Sequence, residues 1–409
     1  MARLLLLLPT TTYRTQAFVD AATKLGVDLV CASERPSTLE ASAPGNLVTL
    51  DFADPAGAAE TVARFAGRRP IDAVVAVDDL TTVVAAAIAA RLGLRSNAVA
   101  AASAARNKHE MRQRLHAAGV PAPRFRRMAL SEDPVRAARE IDYPCVLKPL
   151  ALSASRGVIR ADDPDAFVAA FRRIAAILAR DDVGVSGDLA AALLVEEFVP
   201  GREVALEGLL TAGGLQTLAL FDKPDPLDGP FFEETIYVTP ARLRAETQAR
   251  IADVTLRACA ALGLTEGPIH AELRVNDAGP WVIEVAARSI GGLCSRTLRF
   301  GTGMTLEELI LRHALGWKID SFDRERRAAG VMMIPIPRAG RLVAVRGQDA
   351  AEDVPGVEEI AITAHLGQEL VPLPEGWQYL GFIFARGDSP EEVERALRRA
   401  HARLAFDIA

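Results

Sequence analysis

The sequence predicts an α/β fold that opens on a parallel sheet, and three observations carry that reading. Residues 3–8 form a continuous apolar run, residues 14–25 place Phe18, Val19, Ala22 and Leu25 at helical spacing, and Asp28 to Ala32 is apolar again. Ala73 to Val77 repeats the buried-strand pattern and the Ala-rich stretch from Thr81 to Leu92 repeats the helix. Wholly apolar strands alternating with helices belong to a parallel sheet covered on both faces. A first unit over residues 1–100 follows. Its first strand runs into Pro9-Thr10-Thr11-Thr12, without the glycines that let a backbone approach a pyrophosphate, which argues against a dinucleotide here.

A second unit is expected over residues 101–330. From Lys108 a charged helix leads to Gly119-Val120-Pro121-Ala122-Pro123, where the two prolines force extended chain. Residues 143–149 read as a strand, and residues 157–160 as its hairpin mate across Ser153-Ala154-Ser155-Arg156-Gly157. An amphipathic helix follows from Pro164 to Arg180, then a polar loop from Asp181 to Asp188, then a strand from Leu193 to Val199 ended by Pro200-Gly201. Together these make a small subdomain at about 125–200. Ile269 to Val285 holds two alternating strands around Asn276-Asp277-Ala278-Gly279. A third, α+β unit covers residues 331–409, with apolar runs at 331–336, 357–362 and 381–385. Its closing helix is announced by Ser389-Pro390-Glu391-Glu392, a capping box with proline at the first helical position.

Three units suit 409 residues, since single cores stop growing beyond about 250–300 residues. The 47 Lys and Arg against 53 Asp and Glu are dispersed along the chain, unlike the concentrated positive footprint of a nucleic-acid protein. Cys31, Cys145, Cys259 and Cys294 stand far apart with no C-x-x-C spacing, which suggests neither a disulfide framework nor structural zinc and fits a cytoplasmic setting. The apolar run after Arg3 stops at Pro9, short of the roughly 7–15 residues of a secretory core. No stretch approaches the roughly 20 apolar residues of a membrane span. Small molecules are therefore the default partners, and a homodimer the default assembly.

The chemistry concentrates in the hairpin. If it centres on Ala278, Glu272 and Glu284 stand opposite each other and repel unless a cation intervenes. A hard divalent metal resolves this, because Mg²⁺ takes one or two carboxylates together with phosphate oxygens. A solvated sheet face whose charges pair with Arg274 or Arg288 resolves it equally well. Lys148 sits within an apolar strand, where an ammonium must reach solvent or an anion such as phosphate. The small-residue loop Ser153 to Gly157 suits either a plain hairpin turn or a flap folded over phosphates. Glu196-Glu197-Phe198-Val199-Pro200-Gly201 reads as a strand end, and a free strand edge there also suits an adenine base. His270 reads as a packed residue or one that supports a ligand, and Cys294 as a small buried residue.

The order Lys108, Lys148, flap, Glu196 to Glu203, Glu272, Glu284 and Arg288 resembles the ATP-grasp superfamily over nearly the whole chain. The resemblance implies an ATP-grasp fold with a Rossmann-like N-terminal domain, and ATP with Mg²⁺ or Mn²⁺ as cofactors. It assigns Lys108 and Lys148 to the nucleotide phosphates and Ser153, Ser155 and Gly157 to the flap. It further assigns Glu196, Glu197, Phe198 and Val199 to the adenine hinge, Glu203 to the ribose, and Glu272 and Glu284 to the metal. The family usually carries Asn two residues after its second metal glutamate, where this chain has Ala286. The segment Glu284-Val285-Ala286-Ala287-Arg288-Ser289-Ile290-Gly291-Gly292 is similar to that of L-amino-acid ligases and carnosine-synthase-like enzymes, as is Asp222-Lys223-Pro224 through Glu234. This branch implies an ADP-forming carboxylate-amine ligase acting through an acyl phosphate on amino acids. Catalytic roles then fall to Lys148 and Arg288, and substrate contacts to Arg288, Gly291, Gly292 and one of Glu233 and Glu234, unless the two glutamates are merely solvated. The alternatives are a purine-pathway or carboxylase-type ATP-grasp enzyme, and a nucleotide-binding regulator without catalysis.

Overall fold

The computed structural model describes residues 1–37 and 45–409. Its first sheet has four parallel strands in the order Leu47–Thr49, Asp28–Ser33, Arg3–Leu7, Ala73–Ala76. Every residue of Arg3–Leu7 is buried because alternate side chains enter opposite cores. Leu4 and Leu6 pack with Phe18 of the helix Thr15–Leu25; Leu5 and Leu7 pack with Val62 of Pro55–Ala66 and with Val84 and Ile88 of Asp79–Leu92. The strand Leu47–Thr49 and the helix Pro55–Ala66 were not foreseen from the sequence. That helix opens on Pro55 and is capped by Asp54, whose carboxylate accepts from the Gly57 N–H at 2.9 Å.

This sheet is not closed by its own helices alone. The helix Leu306–Ala314, from far downstream, lays Leu306, Leu309 and Ile310 into the core that holds Leu4 and Leu6. Buried Arg14 meets Glu307 at 3.2 Å, and Lys24 meets Glu308 at 2.8 Å. The first unit is thereby fixed against the second.

The small subdomain is a four-stranded antiparallel sheet in the order Phe125–Ala129, Ala192–Glu197, Cys145–Pro149, Ile159–Ala161. The helix Pro164–Leu178 covers it, with Phe167, Phe171 and Ile174 against Leu147, Leu193 and Val195. The polar stretch after this helix contains two short 3-10 turns, Asp181–Val183 and Gly187–Leu189.

The largest sheet has eight antiparallel strands and runs from the Glu272–Glu284 hairpin to the C-terminal region. Its order is Gly279–Ala286, Gly267–Asn276, Arg202–Thr211, Gly214–Asp222, Ile236–Thr239, Ala328–Ile334, Gly381–Gly387, Val357–Ile362. The boundary expected at residue 330 falls inside the strand Ala328–Ile334, which pairs with Ile236–Thr239 on one side and Gly381–Gly387 on the other. The closing helix is Pro390–His401. Ser389 caps it by accepting from the Glu392 N–H, but the reciprocal half of the expected capping box is shifted: the Glu392 carboxylate accepts from the Asp388 N–H instead.

Candidate active site

Glu272 and Glu284 do stand opposite each other, although not because the hairpin centres on Ala278. Asn276 pairs with Gly279, so the turn is Asp277-Ala278, and an unbroken ladder would set Glu272 against Ile283. A bulge next to Glu272 leaves Ile283 as the extra residue and moves Glu284 into register. The Ile283 carbonyl accepts from the Arg112 guanidinium at 2.6 Å, which holds the bulge in place.

Both glutamates line a cavity of about 500 Å³ between the first unit, the small subdomain and the large sheet. Lys108, first residue of the helix Lys108–Ala117, is buried; its ammonium donates to the Leu152 carbonyl at 2.8 Å and meets Glu284 at 3.2 Å. Lys148 reaches an anion as its apolar strand requires, and that anion is Glu196 at 2.7 Å. Arg112 lies 2.7 Å from Glu196 on the other oxygen. Burial pushes the Glu196 carboxyl up, but Arg112 and Lys148 outweigh it and hold it below its ordinary value. Arg288 directs two nitrogens, at 2.9 and 2.8 Å, onto one oxygen of Asp79 at the start of the helix Asp79–Leu92. Burial lowers the Arg288 value and Asp79 more than restores it, so this guanidinium stays charged. Arg274 pairs with Glu203 at 3.1 Å. The surface reading of the hairpin, in which its glutamates pair with Arg274 or Arg288, is therefore not what the fold adopts. Glu284 pairs with Lys108, and Glu272 with Lys223 and His270.

Three carboxylates that line the cavity surround the Lys223 ammonium: Glu203 at 2.8 Å, Glu234 at 2.5 Å and Glu272 at 2.8 Å. One oxygen from each of these carboxylates lies within 4.8 Å of the others. Burial depresses the Lys223 value, and the three carboxylates overcome this and raise it well above 10.5. Burial pushes Glu234 up, and Glu272 beside it adds to this, to about 7 despite Lys223. Glu272 is also pushed up by burial, but Lys223 and His270 hold it well below 4.5. Tyr237 donates its hydroxyl to Glu234 at 2.8 Å. His270 contacts Glu207 through Nδ1 and lies 3.5 Å from Glu272 through Nε2. Burial lowers its value and Glu207 more than compensates, to about 9, so it is a cation that steadies Glu272.

The adenine-hinge residues line the cavity, but the free strand edge expected of them does not exist. Ala192–Glu197 is an inner strand, paired with Phe125–Ala129 and with Cys145–Pro149. The Phe198 N–H donates to the Pro144 carbonyl at 3.1 Å, and the guanidiniums of Arg160 and Arg274 lie over the Phe198 ring at 4.2 and 5.0 Å from its centre. In the flap, Ser153 and Ser155 face the cavity, whereas Gly157 does not. Gly157 is there for its backbone: φ is 71°, and a Cβ would stand 2.7 Å from Pro149. Ala154 and Ser155 also adopt left-handed backbone, both with φ of 54°, which costs about 1–3 kcal/mol each and is typical of ligand clamps. Of the two candidate substrate glutamates only Glu234 lines the cavity; Gly291 and Gly292 both do. Ala286 lines it too and supplies no ligand atom. Cys294 is buried, as expected, with its thiol pushed up by burial.

Sequence reasoning missed Asp79, Glu207, Tyr237 and Arg112 as parts of the site, and gave Lys223 no role. A signal for Lys223 was present: it follows the apolar run of Gly214–Asp222, the context that singled out Lys148. Nothing local distinguishes Asp79 from any acidic residue in the first turn of a helix.

Lysines and glutamates delivered to one cavity by a helix and two sheets, beneath a small-residue flap, make an ATP-grasp arrangement, and the chain carries ATP-grasp domains. Residues 141–297 match the ATP-grasp domain, residues 19–95 the ATP-grasp N-terminal domain, and residues 332–409 the L-amino acid ligase C-terminal domain 2. Among solved structures, an L-amino acid ligase from Bacillus licheniformis superposes with a TM-score of 0.80 at 26% identity, covering 100% of this chain and 99% of that one. The alanine-anticapsin ligase of Bacillus subtilis is 29% identical over 267 residues, 62% of this chain and 56% of its own length. Human carnosine synthase 1 is 29% identical over 224 residues, 52% of this chain and 27% of its own. The chain thus spans little more than half the length of the alanine-anticapsin ligases and about a quarter of the carnosine synthase. An N5-carboxyaminoimidazole ribonucleotide synthetase from Thermotoga maritima has a TM-score of 0.72 at 15% identity, covering 100% of both chains, a likeness of fold alone. Among the described residues no helix is long and apolar enough to cross a membrane.

Proposed function

We propose that the protein is an ATP-dependent carboxylate-amine ligase that joins two amino acids into a dipeptide-like product, with release of ADP and phosphate. The observation that carries this is the convergence of Lys108, Lys148, Glu272, Glu284, Arg288 and the carboxylates that surround Lys223 on one cavity. Lys108 and Lys148 bind the nucleotide phosphates while the Ser153 to Gly157 flap excludes water from them. Glu272 and Glu284 offer the hard oxygen donors that Mg²⁺ prefers, and the lysine that now neutralises each of them supports this reading. When bound, the ion supplies charge neutralisation to the phosphates. Arg288, held by Asp79, faces the transferring phosphoryl group and later the oxyanion of amide formation. The attacking ammonium must lose a proton. Glu234, raised to about 7 and lining the cavity beside Lys223, is the carboxylate suited to take it.

The test is ADP release and amide formation measured together while pairs of amino acids are varied. Stimulation by an amino-acid pair with matching amide supports the ligase. Stimulation by ribonucleotides or bicarbonate instead moves the protein to the purine-pathway or carboxylase class. No ADP with any pair leaves a nucleotide-binding regulator. Four thiols unpaired in the structure agree with a cytoplasmic setting.

A further inference from the structure

The flap carries an arginine that the nucleotide reading does not use. Arg156, in a small-residue loop where an arginine would ordinarily be solvated, is only 5% exposed. Its Nε donates to the carbonyl of Glu375 at 2.9 Å and its Nη2 to Asp182 at 2.7 Å. The next residue, Gly157, donates its N–H to the carbonyl of Pro374 at 2.9 Å. The Glu375 carboxylate in turn forks onto Arg173 at 2.5 and 2.9 Å, on the helix Pro164–Leu178 that backs the flap. Arg180 takes the remaining oxygen of Asp182 at 2.9 Å. Three segments, distant in sequence, thus meet on one guanidinium. The C-terminal one also places Trp377 and Tyr379 in the wall of the cavity.

We infer that Arg156 and Glu375 are positioning residues that fasten the phosphate-covering flap to the C-terminal unit, so that the cover over the phosphates and the Trp377–Tyr379 wall close as one piece. This rests on the ligase reading above. An acyl phosphate enclosed by the flap alone is safe only while the rest of the cavity is sealed. If the wall gives way, water attacks in place of the amine: the acyl–phosphate bond breaks, the free acid and phosphate leave, and ATP is spent without an amide. A bidentate Arg–carboxylate pair and a buried guanidinium hold geometry more firmly than a single hydrogen bond. Tying the flap to the wall makes closure at one end depend on order at the other.

The test compares Glu375→Ala, Arg156→Met and the charge exchange Arg173→Glu with Glu375→Arg, measuring ADP, amide and the KM for ATP in one assay. Glu375→Ala is expected to raise ADP released per amide about two- to fivefold, the range set by a half-exposed ion pair. Arg156→Met is expected to raise it about tenfold or more, and the charge exchange to restore coupling relative to Glu375→Ala. An unchanged ratio in Glu375→Ala and Arg156→Met overturns the inference, including when kcat falls uniformly, because a merely structural role lowers both products together. Should Arg156→Met not fold, Glu375→Ala decides. If the wild-type protein forms no amide from any pair, the ligase reading fails instead.

Discussion

Replacing Lys223 by methionine removes the single ammonium on which Glu203, Glu234 and Glu272 all converge, and keeps most of the side-chain volume. Breaking a buried ion cluster by deleting one partner costs about 3–5 kcal/mol, since the charges left behind have lost both water and their counter-ion. The cost depends on pH in a direction the structure dictates. Glu234 titrates at about 7 in the folded protein, above its ordinary 4.5. A carboxyl raised on folding favours the fold at low pH, and that contribution disappears as the pH climbs through its folded value. Without Lys223 the cluster keeps its proton to higher pH, so toward pH 8 the variant holds close to one proton more than the wild type. Integrated from pH 6 to pH 8, that proton widens the difference by about 1.4 kcal/mol. The expected loss is therefore about 3 kcal/mol at pH 6 and about 4–5 kcal/mol at pH 8. Urea unfolding of both proteins, followed by tryptophan fluorescence at the two pH values, measures it. A loss below about 1 kcal/mol, or one that does not grow with pH, refutes the cluster as described.

Arg288→Ala is expected to abolish amide formation while leaving nucleotide binding by calorimetry largely intact; near-wild-type turnover in a coupled ADP assay removes Arg288 from the mechanism. Asp79→Asn, which loosens Arg288 and leaves the ion pairs Lys108–Glu284 and Lys148–Glu196 in place, should lower kcat about 10–100-fold with little change in KM for ATP. Combined with Arg288→Ala it should cost nothing further, and additive losses would separate the two residues. Gly330→Ala inserts a methyl 2.7 Å from Val393 and 2.9 Å from the Tyr237 carbonyl, so the helix Pro390–His401 must shift away from its sheet. A stability loss of about 1–3 kcal/mol with unchanged nucleotide affinity is expected in denaturation and binding measurements.

Much of the architecture was legible because it rests on local signals. The wholly apolar strand Arg3–Leu7 announces burial on both faces, and two prolines mark the passage into the small subdomain. Ser389 and Pro390 start the last helix where the pattern says they should. The sheet that joins residues 202–387 into one ladder was not legible, because strand neighbours in an antiparallel sheet are chosen by long-range packing and the apolar pattern of Ala328–Ile334 suits any central position. The helix Leu306–Ala314 likewise shows an apolar face without showing that its partner is the N-terminal sheet.

In the site the division is the same. The sequence by itself determined which chemically able residues the chain has and in what order: two lysines, a flap, an acidic hairpin and an arginine. A hairpin is local enough that even the opposition of Glu272 and Glu284 could be anticipated, although the bulge that produces it could not. Only the tertiary structure decided the partners: Lys223 with glutamates 11, 20 and 49 residues away, Arg288 with Asp79 at a separation of 209, and Arg173 with Glu375 at 202. The physical reason is that a charged side chain removed from water must find its counter-ion wherever the folded chain brings one, and sequence spacing carries no record of that distance.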